Sequence, residues 1–436
     1  MSLLKNKAFI LIIVLLLIIG IGVLGYKVFS LYAFNQATKE LQTANKEPLE
    51  GFKKDNETSN QVQANLLKVS DAIAGKSNLT QAEIANIIKQ VKADYKTALS
   101  KAKSSISETE GKIDKLENFN KMPLWLSADQ KKFTTDAADS LNAYLQASKD
   151  DYTLAVKLEP FIEDTFLVLG DTASLMAYFM TVSSSNPQNM TTTLNQAFTL
   201  LSPLEKYTKP DFKFAGEATL ASRYQNTYKA YATFKTFFGQ SYVIAKAASQ
   251  GDLSQFSSFN QIAASFSSSM SGFENPFSEI SADSKQILVK EKDAMGDYIR
   301  ALDFYGEKKL YSNLLPFQKV TYGNNHNKAL YFIFDVELYQ LEKQSYPKET
   351  SFSDLIATLK GGLADPFDFN KADFTYESNG STYFELGYKD EISGKMETIT
   401  VGTKTESQKS LGVTTQGGLN LDSVLSVADY FKSLLH

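Results

Sequence analysis

Residues Ala8 to Gly25 form 18 consecutive positions without a charged or strongly polar side chain, and Leu, Ile and Val dominate them. With Tyr26, Val28 and Phe29 the stretch reaches about 20 residues, which at a 1.5 Å rise spans a hydrocarbon core of about 30 Å. The chain is therefore expected to cross a membrane once, over residues 8–29. Lys5, Lys7 and the α-amine precede the run, Lys27 marks its far boundary, and the next charges are Lys39 and Glu40. The positive-inside bias makes residues 1–7 a cytoplasmic stub and puts the bulk outside the cytoplasm, as a single-pass protein of the cell membrane. The competing reading is a cleaved signal peptide, whose apolar region is usually about 7–15 residues long and ends in a small-x-small site. Val23-Leu24-Gly25 and Val28-Phe29-Ser30 match such a site poorly.

About 400 residues remain beyond this segment, enough for two or three domains that each bury a core. Hydrophobic residues are 43 % and charged residues 22 %, so wholesale disorder is not expected. The net charge of −4 comes from 45 basic and 49 acidic side chains spread along the chain. No basic stripe is present to neutralise phosphates, which argues against nucleic acid as a partner. Cysteine is absent, which removes disulfides, thiolate metal sites, thiol nucleophiles and a lipidated cysteine, and leans towards a bacterial or archaeal surface protein.

Residues 30–60 are polar around Pro48 and Gly51 and read as a stalk or broken helix. Thr80-Gln81-Ala82-Glu83 is a capping box, and Ile84, Ile87, Val91, Tyr95, Ala98, Ala102 and Ile106 recur at helical spacing behind it. Further helices are expected over about 128–158, 161–181, 191–206, 217–249, 252–271 and 280–305. Their boundaries are set by Pro160, Asn186-Pro187, Pro203, Pro210, Gly251-Asp252 and Asn275-Pro276. Leu220, Tyr224, Tyr228, Tyr231, Phe234 and Phe238 form an aromatic stripe that suits core packing or a groove. Residues 61–316 thus read as an extended all-α bundle.

After Pro316 the pattern changes. Lys328 to Gln344 is one more helix with Leu330, Phe334, Leu338 and Leu341 on one face. Then come strand-like runs at 374–376, 381–388 and 396–401, separated by Asn379-Gly380 and Ser393-Gly394 turns, and a closing helix from Leu421 to Leu435. Residues 317–436 are expected as a small α+β domain with an antiparallel sheet. Phe384 and Leu386 should face the helix, with Tyr383 and Glu385 more exposed.

Chemistry is sparsely signalled. The two histidines are His436, at the terminus, and His326, in Gly323-Asn324-Asn325-His326-Asn327, a turn composition that suggests a solvated loop. No catalytic triad, zinc motif, phosphate-binding loop or dinucleotide fingerprint occurs. Asp150 with Asp151, and Glu108 with Glu110, read as solvated helix faces, although a pocket joining buried carboxylates would revive a hydrolase. Asp365, Asp368, Asn370 and Asp373 could supply oxygen ligands to Ca²⁺, but the spacing lacks the glycine and terminal glutamate of an EF-hand, so turn formation is the plainer reading.

Within 328–390 the helix ends in Leu338-Tyr339-Gln340-Leu341-Glu342-Lys343-Gln344-Ser345-Tyr346-Pro347, and Phe352-Ser353-Asp354-Leu355 opens a short helix. Asp365-Pro366-Phe367 and the run Phe374-Thr375-Tyr376 to Tyr383-Phe384-Glu385-Leu386 follow. This stretch resembles the globular part of type IV pilins and secretion pseudopilins. There a "YP" step closes the helix and a "DP" loop leads to a hairpin reading Y-x-Y, then Y-x-L. In a pilin the membrane helix runs directly into this part, whereas some 300 residues intervene here. The resemblance implies a pilin-like module reused in an envelope protein, and carries over no functional residue.

The expectation is a non-enzymatic, single-pass membrane-anchored envelope protein with no cofactor. It would act as a structural or protein-interaction component of a pilus-like or secretion apparatus, with the lipid bilayer and other envelope proteins as partners. The alternative is a receptor-like ectodomain that binds a small ligand between its helices.

Overall fold

The computed structural model describes residues 7–73, 79–182, 190–209, 225–252, 254–271, 278–313, 322–343, 345–359, 367–381 and 383–402, and in the first helix the side chains from Gly25 onward. Among them the chain is mainly helical, with one small antiparallel sheet near its C-terminal end. The helices are α1 (Lys7–Ala44), α2 (Glu47–Ile73), α3 (Gln81–Asn120), α4 (Ala128–Val182), α5 (Met190–Leu201), α6 (Gln225–Ser249), α7 (Phe256–Ser271), α8 (Ser278–Glu307), α9 (Asn325–Lys343) and α10 (Phe352–Leu359). The strands are β1 (Phe374–Ser378), β2 (Tyr383–Lys389) and β3 (Met396–Gly402). Where side chains are described, from Gly25 onward in α1, no helix is long and apolar enough to cross a membrane, and most of the span expected at residues 8–29 lies outside that part. The closing helix expected at Leu421–Leu435 and the surroundings of the aromatic stripe from Leu220 to Phe238 lie outside the described residues.

For residues 30–60, of the two readings stalk and broken helix, the broken helix is the one seen. They form the end of α1 and the start of α2, with Phe34, Leu41 and Leu49 fully buried. The break falls at Asn45-Lys46, and Pro48 sits in the first turn of α2, where its missing N–H leaves no helical bond unmade. At the start of α3, the capping box is as expected. The Glu83 N–H donates to Thr80 Oγ1 at 3.3 Å, and the Thr80 N–H donates to Glu83 Oε2 at 2.7 Å. Along α3 the apolar seam turns inward, with Ile84 and Val91 inaccessible to solvent, while Ile87 is half-buried and Ile88 takes the deeper position.

The boundary expected at Pro160 does not exist, because α4 runs unbroken for 55 residues. An interior proline removes one backbone hydrogen bond and costs about 3 kcal/mol, but packing on both sides of it outweighs that loss. The first half buries Phe133, Ala137, Leu141 and Leu145. In the second half Gly170 lets α4 approach α3 so closely that an added Cβ would lie 2.8 Å from Ile88 Cγ1. Helices α3, α4 and α8, with α2 alongside, make the body of the bundle.

The strands pair in the order β1-β2-β3 with Tyr376 opposite Leu386 and Leu386 opposite Ile399. Period-two alternation sends Phe374, Tyr376, Phe384, Leu386, Ile399 and Val401 to one buried face against α9 and α2. Tyr383 and Glu385 lie on the other face, half-buried, as the face argument expects. The β1–β2 turn uses Gly380 at φ +77°. Tyr346 of the "YP" step meets Phe384 with ring centroids 5.0 Å apart, and the Tyr376 hydroxyl donates to Pro347 O at 2.9 Å. The unpaired side of β3 is covered by α2. Asn56 and Asn60 donate to Thr400 O, and the Gly402 N–H donates to Asn60 Oδ1 at 2.8 Å. One continuous core joins the helical body to this sheet.

The turn expected around His326 is the N-terminus of α9. Glu391 accepts from the Asn324 and Asn325 backbone N–H groups at 2.9 and 2.8 Å, supplying the anionic cap that lets the helix begin there. His326 is accordingly buried rather than solvated, and Asn324, Asn325 and Asn327 are buried around it.

Candidate functional site

Between α2, α3, α4 and α8 lies a cavity of about 370 Å³, with α9 and the end of β3 at one side. Five carboxyl residues line it: Glu47, which pairs with Lys112, Glu337 of α9, and Asp55 from α2, Asp151 from α4 and Glu291 from α8. Each lies one helical turn from another residue of the same lining. Asp55 follows Phe52 by three residues, Asp151 follows Ser148 by three, and Glu291 follows Ile287 by four. The walls carry Phe52, Tyr95, Tyr144 and Phe334, with Phe334 6.3 Å from Phe52 and 6.5 Å from Tyr144 between ring centroids.

The electrostatics follow from depth. Asp55 and Asp151 line the cavity as solvent-exposed residues, whereas Glu291 is half-buried. Burial, with the Asp151 charge added, pushes Asp55 up to about 6 against the opposing pull of Lys101 and Lys54. For Glu291, burial and then the charge of Asp151 raise the pKa to about 8, although the Ser148 hydroxyl donates to its Oε1 at 3.1 Å. Asp151 is raised by burial as well. None of the three stands in an ion pair among the described residues. Around neutral pH the cavity thus holds Glu291 protonated and Asp55 ionised. Burial also raises Tyr95 and Tyr144, keeping both phenols neutral donors, and Tyr95 donates to Ala155 O at 3.0 Å.

A larger cleft of about 1190 Å³ lies between α4, α8 and the N-terminal end of α9. Its lining carries seven acidic and three basic side chains, and Lys132 pairs with Asp136, Arg300 with Asp297, and Lys328 with Asp303. Asp55 and Glu291, whose pKa values burial raises, line the smaller cavity instead.

The residues singled out from sequence fall differently. Asp150 is at the surface, accepting from Lys290 Nζ at 3.0 Å and from Gln146 at 3.1 Å. Its neighbour Asp151 is solvent-exposed, as the solvated-face reading expects, and also lines the cavity. Glu110 pairs with Lys149. Of the Ca²⁺ candidates, Asp365 lies outside the described residues, and Asn370 caps a short 3-10 turn by accepting from the Ala372 N–H at 3.2 Å. Asp368 offers its backbone oxygen to Lys328 Nζ at 2.7 Å, and Asp373 belongs to the 3-10 turn. No group of three or more metal-ligating side chains is arranged for a metal ion among the described residues. Comparison with protein-family models, with curated proteins and with solved structures finds no match to this chain.

Proposed function

We propose that this chain is a single-pass, membrane-anchored protein whose helical body lies outside the cytoplasm and works by binding, with a small organic cation as the ligand held between its helices. The observation that carries the reading is the cavity lined by Asp55, Asp151 and Glu291, none of which stands in an ion pair among the described residues. A ligand spreading positive charge along its length would offset the repulsion between them, and the aromatic walls would add cation–π attraction. The cavity volume falls within the range of small-molecule sites. The anchor is the apolar run of residues 8–25, which lies on the same helix, α1, as the buried Phe34 and Leu41. The helix-and-sheet unit over 325–402 is the part we assign to an envelope partner, as the pilin resemblance implies.

The split between Glu291 near 8 and Asp55 near 6 favours a second reading, acid–base hydrolysis with Glu291 as acid and Asp55 as base. Turnover of a glycoside or ester that Glu291→Gln abolishes would select it over binding alone.

The test is thermal melting of the full chain in detergent micelles with spermidine or tetramethylammonium. Binding requires that at least one raise Tm in the native chain and fail to do so in Asp151→Asn. No shift with either cation, or an equal shift in the variant, overturns the reading.

A further inference from the structure

Exposed large apolar side chains are normal when scattered and informative when they gather. Here Val28, Phe29 and Tyr32 on α1 and Met122 and Trp125 on the loop between α3 and α4 are all about half exposed or more. The loop is tied to the helix at the place where the apolar run ends. The Trp125 N–H donates to Ser30 Oγ at 3.0 Å, and that hydroxyl donates to Tyr26 O at 2.9 Å. The Trp125 ring meets Tyr26 edge-on with centroids 5.6 Å apart. Leu124 is buried in the core, so the loop is pinned inward at one residue while its neighbours face out. Trp125 is also the only tryptophan in 436 residues.

From this juxtaposition we infer that the 122–126 loop and the first turns of α1 beyond Gly25 form an aromatic collar seated in the headgroup region of the bilayer's outer leaflet. The inference rests on the membrane anchor proposed above. Tryptophan and tyrosine prefer this zone because their rings are apolar at one end and donate hydrogen bonds at the other. From Tyr26 to Tyr32 the helix rises about 9 Å, on the order of the interfacial depth on one side of a bilayer. Lys27 and Lys121 are exposed beside Tyr26 and Met122 in sequence, Lys121 with its ammonium 3.9 Å from Glu117, and such ammonium groups suit lipid phosphates. The occupant is lipid because the exposed patch continues directly from a membrane-length apolar run. A collar of this kind would hold the body against the membrane at a fixed tilt, instead of leaving it on a swivel.

The lone tryptophan makes the test specific to one side chain. Full-length protein is reconstituted into vesicles of phosphatidylcholine and phosphatidylglycerol, and flotation is scored together with Trp125 emission. Lipids carry bromine either near the headgroup or near the chain end. The inference requires that the protein float and that headgroup-proximal bromine remove about half of the emission, with chain-end bromine removing less. Flotation with Trp125 quenched by aqueous acrylamide and by neither brominated lipid leaves the anchor standing and overturns the collar. Shielding from both acrylamide and lipid means that protein, such as a second copy, covers the patch, and this also overturns it. Failure to float overturns the anchor and the collar together.

Discussion

His326 Nε2 lies 2.9 Å from the backbone carbonyl oxygen of Asn45, joining two residues 281 positions apart. A carbonyl oxygen only accepts, so Nε2 carries a proton, and burial disfavours a second one on the ring. Asn327 Nδ2 donates to Asn45 Oδ1 at 2.9 Å, and Asn45 Nδ2 donates to Gly323 O at 2.9 Å. The α1–α2 junction is thereby fastened to the N-terminus of α9, and through α9 to the sheet. His326→Ala should cost about 1–3 kcal/mol, because Asn45 O is left buried without this donor. Burial holds the His326 pKa below its ordinary value of 6.5. The unfolded chain therefore takes up this proton first, and stability falls as pH drops below about 6.5. Urea melts at pH 7.5 and 5.5 should show a smaller acid loss in the variant than in the native chain. An equal loss in both would exclude His326 as its source.

Glu291 has the opposite sign. Its folded pKa near 8 exceeds the ordinary 4.5, so the folded state binds this proton more tightly and loses stability as pH rises between those values. Glu291→Gln should match the native chain near pH 4 and melt a few degrees higher at pH 8 to 9. Differential scanning calorimetry across that range checks it. A variant less stable at high pH would show that the carboxylate has a counter-charge not accounted for here.

Val91 is inaccessible on the inward seam of α3. Val91→Asp should lower stability by about 3–5 kcal/mol by burying an unpaired charge, whereas Ile87→Asp, at a half-buried position, should cost less. Chemical denaturation of both variants gives the order, and reversed costs would mean that α3 is rotated.

At Gly380 the backbone φ is +77° and an added Cβ would meet the Lys348 side chain at 3.2 Å. Gly380→Val should therefore weaken the sheet by about 1–2 kcal/mol, mostly through backbone strain that a β-branched residue cannot relieve. A neutral variant in the same denaturation assay would refute the strained-turn account.

Protease added to intact spheroplasts should digest the bulk of the chain, because Lys5 and Lys7 before the apolar run favour a cytoplasmic N-terminus. Protection of the 325–402 unit would reverse the topology.

Local patterns were legible wherever residues close in sequence decide the outcome. The Thr80–Glu83 box, the Asn379-Gly380 turn and the alternation of Phe384 and Leu386 needed only local rules. Two errors were of one kind, with distant partners overriding a local signal. A remote Glu391 turned Gly323–Asn327 from a loop into a buried helix start, and packing on α3 carried α4 through Pro160. The cavity was the hardest to foresee, since Asp55, Asp151 and Glu291 have no common motif. Their one trace is a carboxylate one helical turn from another residue of the same lining, which periodicity alone reads as a tolerated polar residue.

The central claim, a cation site in which Glu291 holds a proton at neutral pH, is tested most directly by proton release. Isothermal titration of the full chain with spermidine at pH 7, in two buffers of different ionisation enthalpy, counts the protons leaving on binding. Occupation of the cavity should displace the Glu291 proton, so the observed heats should differ between buffers, and the difference should vanish in Glu291→Gln. Binding with identical heats in both buffers, or the same difference in the variant, would contradict the assignment.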